Sequence, residues 1–251
     1  MISPHAPINE QHSRSFSLVI FSAISLLVLC ALCTSCAVMG IFSQIAPVPE
    51  VQAAYKGLNA QTVGVMVWVD RSIRNDYPTL QMDIAKGITG QMVALSTPKN
   101  DKEKKKDEAK EFQFKELAYT QYRSAMEIIQ YMENNPGLEG TASVDLAPKL
   151  GVSRVIYVQV FGFQTRPVES IDLYKGTLRA RMEVLEVTGK SAADRQAKIV
   201  YVNPELVTVY PPRRPEGIAG EDVNGKVIFD KTVEAFTSDV VQVFIPHPAE
   251  K

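Results

Sequence analysis

The apolar positions along this chain follow three different rhythms. From Phe16 to Leu32 the residues are dominated by Leu, Ile, Val, Phe and Ala, and no charged residue occurs between Ser15 and Pro49. Thr62 to Asp70 is a continuous apolar, β-branched run, which predicts a central strand buried on both faces. Leu80, Ile84, Ile88 and Met92 recur four apart and predict an amphipathic helix. Asp76-Tyr77-Pro78 opens it, with Asp76 as acidic cap and an early proline. Ala118, Tyr122, Ala125, Ile129 and Met132 predict a second helix, stopped at Asn134-Asn135-Pro136-Gly137. Ser143 to Leu150 reads as a short helix closed by Gly151, with Pro148 straining its middle.

Strand rhythm dominates the stretch from Val155 to Tyr210. Val155 to Phe161 is nearly all apolar and predicts another buried strand. Leu178, Ala180, Met182 and Val184 alternate with Arg179, Arg181 and Glu183, as in a strand with one wet face. The alternation slips at Leu185 and Val187, where a bulge or strand end is expected. After a polar turn over Gly189–Gln196, Ile199 to Tyr210 returns, and Pro204 restricts it to a sheet edge or divides it. Phe229, Val233, Phe236, Val240 and Val243 mark a C-terminal amphipathic helix. This order predicts one α+β (mixed α/β) domain over residues 58–246, a single small sheet packed with helices, with 247–251 as a tail.

Charge excludes one class of function. With 27 basic and 28 acidic residues the net charge is −1, which argues against a nucleic-acid partner. The run from Lys99 to Glu116 alternates in sign and suits a solvated loop or helix extension. Cysteine and histidine exclude more. The three cysteines are Cys30, Cys33 and Cys36, and His5 and His12 lie near the N-terminus, leaving only His247 beyond. No catalytic, cofactor or metal residue is therefore assigned to the body of the chain. The Cys30-x-x-Cys33-x-x-Cys36 spacing sits in an apolar run without a fourth ligand, unlike a cluster site.

A secretory signal accounts for that spacing better. Arg14 precedes the apolar core, and the small residues Thr34 and Ser35 precede Cys36. Leu32-Cys33-Thr34-Ser35-Cys36 resembles a bacterial lipobox, with Cys33 in a slot usually held by leucine. The resemblance implies cleavage between Ser35 and Cys36, lipid on the Cys36 thiol, and the bilayer as a permanent partner. Residues 1–35 are then the signal and 36–57 a lipidated tether. Ala37, where aspartate would mark inner-membrane retention, points to the outer membrane, facing the periplasm. The alternative is an uncleaved membrane helix, since the run is long enough to span a bilayer.

Asp70, Asp76 and Asp83 are the remaining catalytic candidates, as carboxylates near the end of the first strand. A cap explains Asp76, and Asp83 falls opposite the apolar stripe, in solvent. Gly87-Ile88-Thr89-Gly90 lies inside the helix pattern and lacks the turn of a phosphate loop. Ser72 and Ser143 have no histidine base. Tyr119, Tyr122 and Tyr131 read as partial core rather than an aromatic platform, and Arg213-Arg214 as a surface loop.

Leu150–Val160, Tyr174–Val184 and Val209-Tyr210-Pro211-Pro212 resemble a group of bacterial envelope lipoproteins. More distantly the group takes in the curli-secretion lipoprotein and the lipoprotein activators of penicillin-binding proteins. The resemblance implies an anticodon-binding-like α/β domain acting through protein contacts. The insertion from Thr97 to Lys115 lacks the apolar alternation of a pore-forming hairpin. The expectation is thus a non-enzymatic envelope lipoprotein that binds other envelope proteins. The alternatives are an oligomeric secretion component, self-associating, and a carboxylate-dependent envelope glycan hydrolase.

Overall fold

In the computed structural model, residues 49–98, 112–167, 172–214, 216–219 and 223–249 are described. The elements are β1 (Glu50–Val51), β2 (Thr62–Val69), α1 (Arg71–Asp76), α2 (Leu80–Ser96), β3 (Gln121–Tyr122), α3 (Ala125–Glu133), α4 (Ser143–Leu146), β4 (Arg154–Gln164), β5 (Leu173–Tyr174), β6 (Gly176–Thr188), β7 (Gln196–Tyr210), β8 (Ile218–Ala219), α5 (Gly225–Gln242) and β9 (His247–Pro248). The fold is mixed α+β. A five-stranded sheet runs in the order β3-β2-β4-β6-β7, with two-stranded pairs β1-β9 and β5-β8 beside it. β2 is parallel to β3 and β4, whereas β6 is antiparallel to β4 and β7.

The pleat divides the core between two faces. Val63, Val65, Val67 and Val69 of β2 join Ile156, Val158 and Val160 of β4 and Leu178, Ala180, Met182 and Val184 of β6 on one face. α2 and α5 cover this face with Leu80, Ile84, Ile88 and Met92 and with Phe236 and Val240, all fully buried. On the other face Met66, Val155, Tyr157, Leu185 and Val187 pack under Ile128, Leu146 and Leu150. That cover reaches only part of the sheet. β6 does not change faces at Leu185; its wet side goes dry there, because the turn Ala147–Leu150 lies over it.

Three helix boundaries differ from expectation. Asp76 ends α1 and caps nothing. Before Pro78, Tyr77 is pushed out of helical geometry (φ −132°, ψ 71°), as the proline ring demands of its predecessor. α2 starts two residues later, with Thr79 at its N-cap and the Thr79 carbonyl accepting from the Asp83 N–H at 2.9 Å. The second helix is shorter than its apolar spacing, spanning only Ala125–Glu133. Tyr119 adopts φ +58°, a left-handed value that no helix interior accepts. Tyr122 belongs to β3, paired with Val63. Ser143–Leu150 divides in two: a 3₁₀ turn begins at Ala147, so Pro148 sits in a first turn where no N–H is needed. Gly151 closes it at φ +69°.

Pro204 lies in β7, the sheet edge, and the strand runs through it unbroken. Ala180 faces Leu206 and Met182 faces Asn203, so β7 carries one extra residue at Pro204–Glu205. A second extra residue, Val200, falls between the partners of Val184 and Leu185. The irregularity expected near Leu185 is there, with the added residue on the partner strand.

Candidate functional site

α2 and α5 lie side by side on the covered face and pack against each other, most closely at Gly87. A Cβ built on Gly87 would stand 2.7 Å from Thr237 Cγ2, and Gln91 Nε2 donates to Thr237 Oγ1 at 2.9 Å. From this contact a groove of about 930 Å³ opens toward the start of both helices. Its apolar wall is Tyr77, Phe229 and Val233. Behind it Phe163 meets Tyr77 edge-on at 4.6 Å and Phe229 at 5.4 Å, while Tyr77 stacks on Phe229 at 5.9 Å. Ring pairs of this kind stabilise by about 0.5–1.5 kcal/mol each beyond the area they bury. Near the far end of the α2 wall, beside the Gln91 contact, lies Gly90, whose added Cβ would meet nothing within 4 Å.

The groove's rim is charged. Asp76, Asp83, Asp230 and Glu234 line it, together with Lys86 and Lys226. Lys226 Nζ donates to Asp230 at 2.7 Å, and Lys231 Nζ donates to Glu234 at the same distance. The Lys226 ammonium is held above its usual range, first by the bond to Asp230 and then by the charges of Asp230 and Asp83. Of the three candidate carboxylates, the structure thus brings Asp76 and Asp83 to one cavity. Asp83 is half-buried there and does not lie in open solvent. Asp70 stands apart at the end of β2: its N–H donates to Val160 and its carbonyl accepts from the Arg74 N–H.

The opposite face carries a second, smaller cavity of about 360 Å³, lined by Trp68, Tyr157, Gln159, Arg181, Glu183 and Ser143 among others. Glu183 is only 5% exposed, accepts from Ser143 Oγ at 2.6 Å and pairs with Arg181 at 2.6 Å. Burial pushes the Tyr157 phenol above its usual range, the charge of Glu183 adds to this, and Arg181 opposes it. Ser143 therefore has a carboxylate for company and, among the described residues lining this cavity, no histidine. Beyond this cavity the sheet is open: Phe161 is 40% exposed and Val207 47%, with Ile199 and Val202 beside them. Arg179 and Arg181 do face this surface, each ion-paired, the former with Glu205 and over the Phe161 ring.

The remaining candidates scatter. Tyr119 is 63% exposed against Phe112, and burial pushes the Tyr122 phenol up to about 12, so the tyrosines form no shared platform. Arg213 and Arg214 lie exposed in the turn after β7. Among the described residues no group of His, Cys, Asp or Glu could hold a metal, and no helix is long and apolar enough to cross a membrane. Ser35, Cys36 and the other cysteines, His5, His12 and most of the charged insertion fall outside the described residues.

A small α+β domain with a cleft on one side of its sheet and a bare strip on the other is the class this geometry defines. No protein-family model matches the sequence, and no curated protein does. Among solved structures it is similar to the PelC dodecamer of Paraburkholderia phytofirmans at 6% identity and a TM-score of 0.32, over 79% of this chain and 97% of that one. It is similar to lipoprotein GNA1162 of Neisseria meningitidis at 11% identity and 0.35, over 72% and 97%. The hypothetical protein CT253 of Chlamydia trachomatis is similar at 12% identity and 0.36, over 73% and 96%. Likenesses this distant carry neither the fold nor the function of those proteins over to this one.

Proposed function

We propose that the protein is a lipid-anchored factor of the cell envelope that acts by binding other envelope proteins, not by catalysis. The observation behind this reading is the groove between α2 and α5. It has the size of a ligand cleft, an aromatic wall and a mid-helix opening at Gly90, and among the described residues no histidine or cysteine lines it beside its carboxylates. The Ser35–Cys36 junction supports the anchor. A photoactivatable benzoylphenylalanine at position 90 of the full-length protein is expected to give, in living cells, an adduct whose partner is an envelope protein. Absence of any adduct from that position sinks the reading. Fatty-acid labelling tests the anchor: label is expected in the wild type and lost in Cys36→Ala.

The bare strip formed by Phe161, Ile199, Val202 and Val207 favours a second reading, an oligomeric secretion component. There the same photoprobe at position 207 gives adducts of the protein with itself, and the detergent-extracted protein migrates as a multimer. A strict monomer rules it out.

A further inference from the structure

We infer that the occupant of the α2–α5 groove is a basic amphipathic α-helix of a partner protein, an inference that rests on the groove being the binding site. Three observations select it. Both long walls are helices, whose interior backbone donors and acceptors are spent within themselves. A segment lying between them finds no strand edge to extend, so it must satisfy its own backbone, which a helix does. The wall of Tyr77, Phe229 and Val233 is apolar and asks for an apolar stripe on that helix.

Charge selects the sign. Lys226 is spent on Asp230 and Lys231 on Glu234. Among the described residues Asp76 and Asp83 have no ion-pair partner, and Lys86 is the one unpaired cation lining the groove. A residual negative rim beside ring faces suits lysine or arginine flanking the apolar stripe. It disfavours an anionic lipid or an acidic peptide.

Gly90 completes the case. A glycine in a helix interior weakens the helix, and it is usually explained by close packing. Gly87, one turn earlier, has that explanation in Thr237. Gly90 packs against nothing, and any larger side chain there would project into the groove. Its effect is to keep the groove open for side chains that come from elsewhere.

Fluorescence anisotropy on the full-length protein in detergent tests this. The probes are labelled fourteen-residue helical peptides of leucine with lysine, with glutamine or with glutamate. The lysine peptide is expected to bind at least tenfold more tightly than the glutamate peptide, and more weakly as salt rises. Gly90→Trp, with its melting midpoint checked, is expected to abolish binding. The double variant Asp76→Asn, Asp83→Asn is expected to weaken the lysine peptide severalfold and leave the glutamine peptide unchanged. If the three peptides bind alike, or the double variant changes nothing, the basic character is wrong while the groove reading stands. If none binds, or Gly90→Trp binds as well as wild type, both fall.

Discussion

Gly87 and Gly90 sit one turn apart on α2 and meet opposite surroundings, so the same substitution has opposite effects. Gly90→Ala is expected to stabilise the fold by about 0.5–1 kcal/mol, the usual gain of alanine over glycine in a helix. Gly87→Ala forces a methyl to within 2.7 Å of Thr237 Cγ2 and disturbs the Gln91 bond. It is expected to cost about 1–3 kcal/mol, the range for overpacking. Urea denaturation of both variants measures the contrast. Glu186 supplies a pH-dependent test at the same scale. Its carboxyl is held below the ordinary value of 4.5, first by the hydrogen bond from Lys198 and then by the charge of Arg154. With the folded value below the unfolded one, its contribution is present above pH 4.5 and disappears as pH falls through the folded value. Wild type and Glu186→Gln are therefore expected to differ in thermal midpoint at neutral pH and to converge in acid.

Elements were legible where one residue type decides the backbone. The β-branched run of β2, the four-residue spacing of α2, Gly151 at a positive φ and Pro204 on an edge strand are all of that kind. What escaped was the reach of apolar spacing. Ala118, Tyr122 and Ala125 are buried or half-buried as their spacing implies, but Ala118 follows a turn and Tyr122 lies in a strand. Periodicity reports burial and not backbone, and here the left-handed Tyr119 separates the two. β7 also guards itself. With Pro204, two extra residues, Lys198 and Glu205, its outer edge has the features that discourage strand addition. Pro204→Thr restores a donor to that edge. It is expected to leave monomer stability within about 0.5 kcal/mol and to raise self-association in sedimentation velocity.

At the scale of the molecule, the two faces of the sheet have different fates. One is sealed by α2 and α5, and the other is covered only over β2, β4 and the end of β6. The groove could not be read from the chain, because its walls are brought together by a contact between Gln91 and Thr237, 146 residues apart. Phe229 and Phe163 look like ordinary core residues until that packing half-exposes them. Composition, with one histidine and no cysteine in the body of the chain, raises an expectation of contact over chemistry that the photoprobe at position 90 tests.

The pairing of β1 with β9 has a mechanical meaning. Glu50 pairs with Pro248 and Val51 with His247, in a ladder of two residues a side. Next along the chain Tyr55 is latched by its N–H to Val243 and by contacts with Tyr201 and Phe244. Leu58 is the first residue sunk in the main core. A pull on the chain ahead of Glu50 therefore loads two short grips in series before it reaches the sheet. Their release frees residues 50–57, about 27 Å of extended chain. In an optical trap, this small extension is expected at low force, ahead of the single large rip of the domain. Removing residues 246–251 should abolish its first part. Were the chain ahead of Glu50 tethered as proposed, a domain built this way would hold slack in reserve, let out when its two points of attachment move apart.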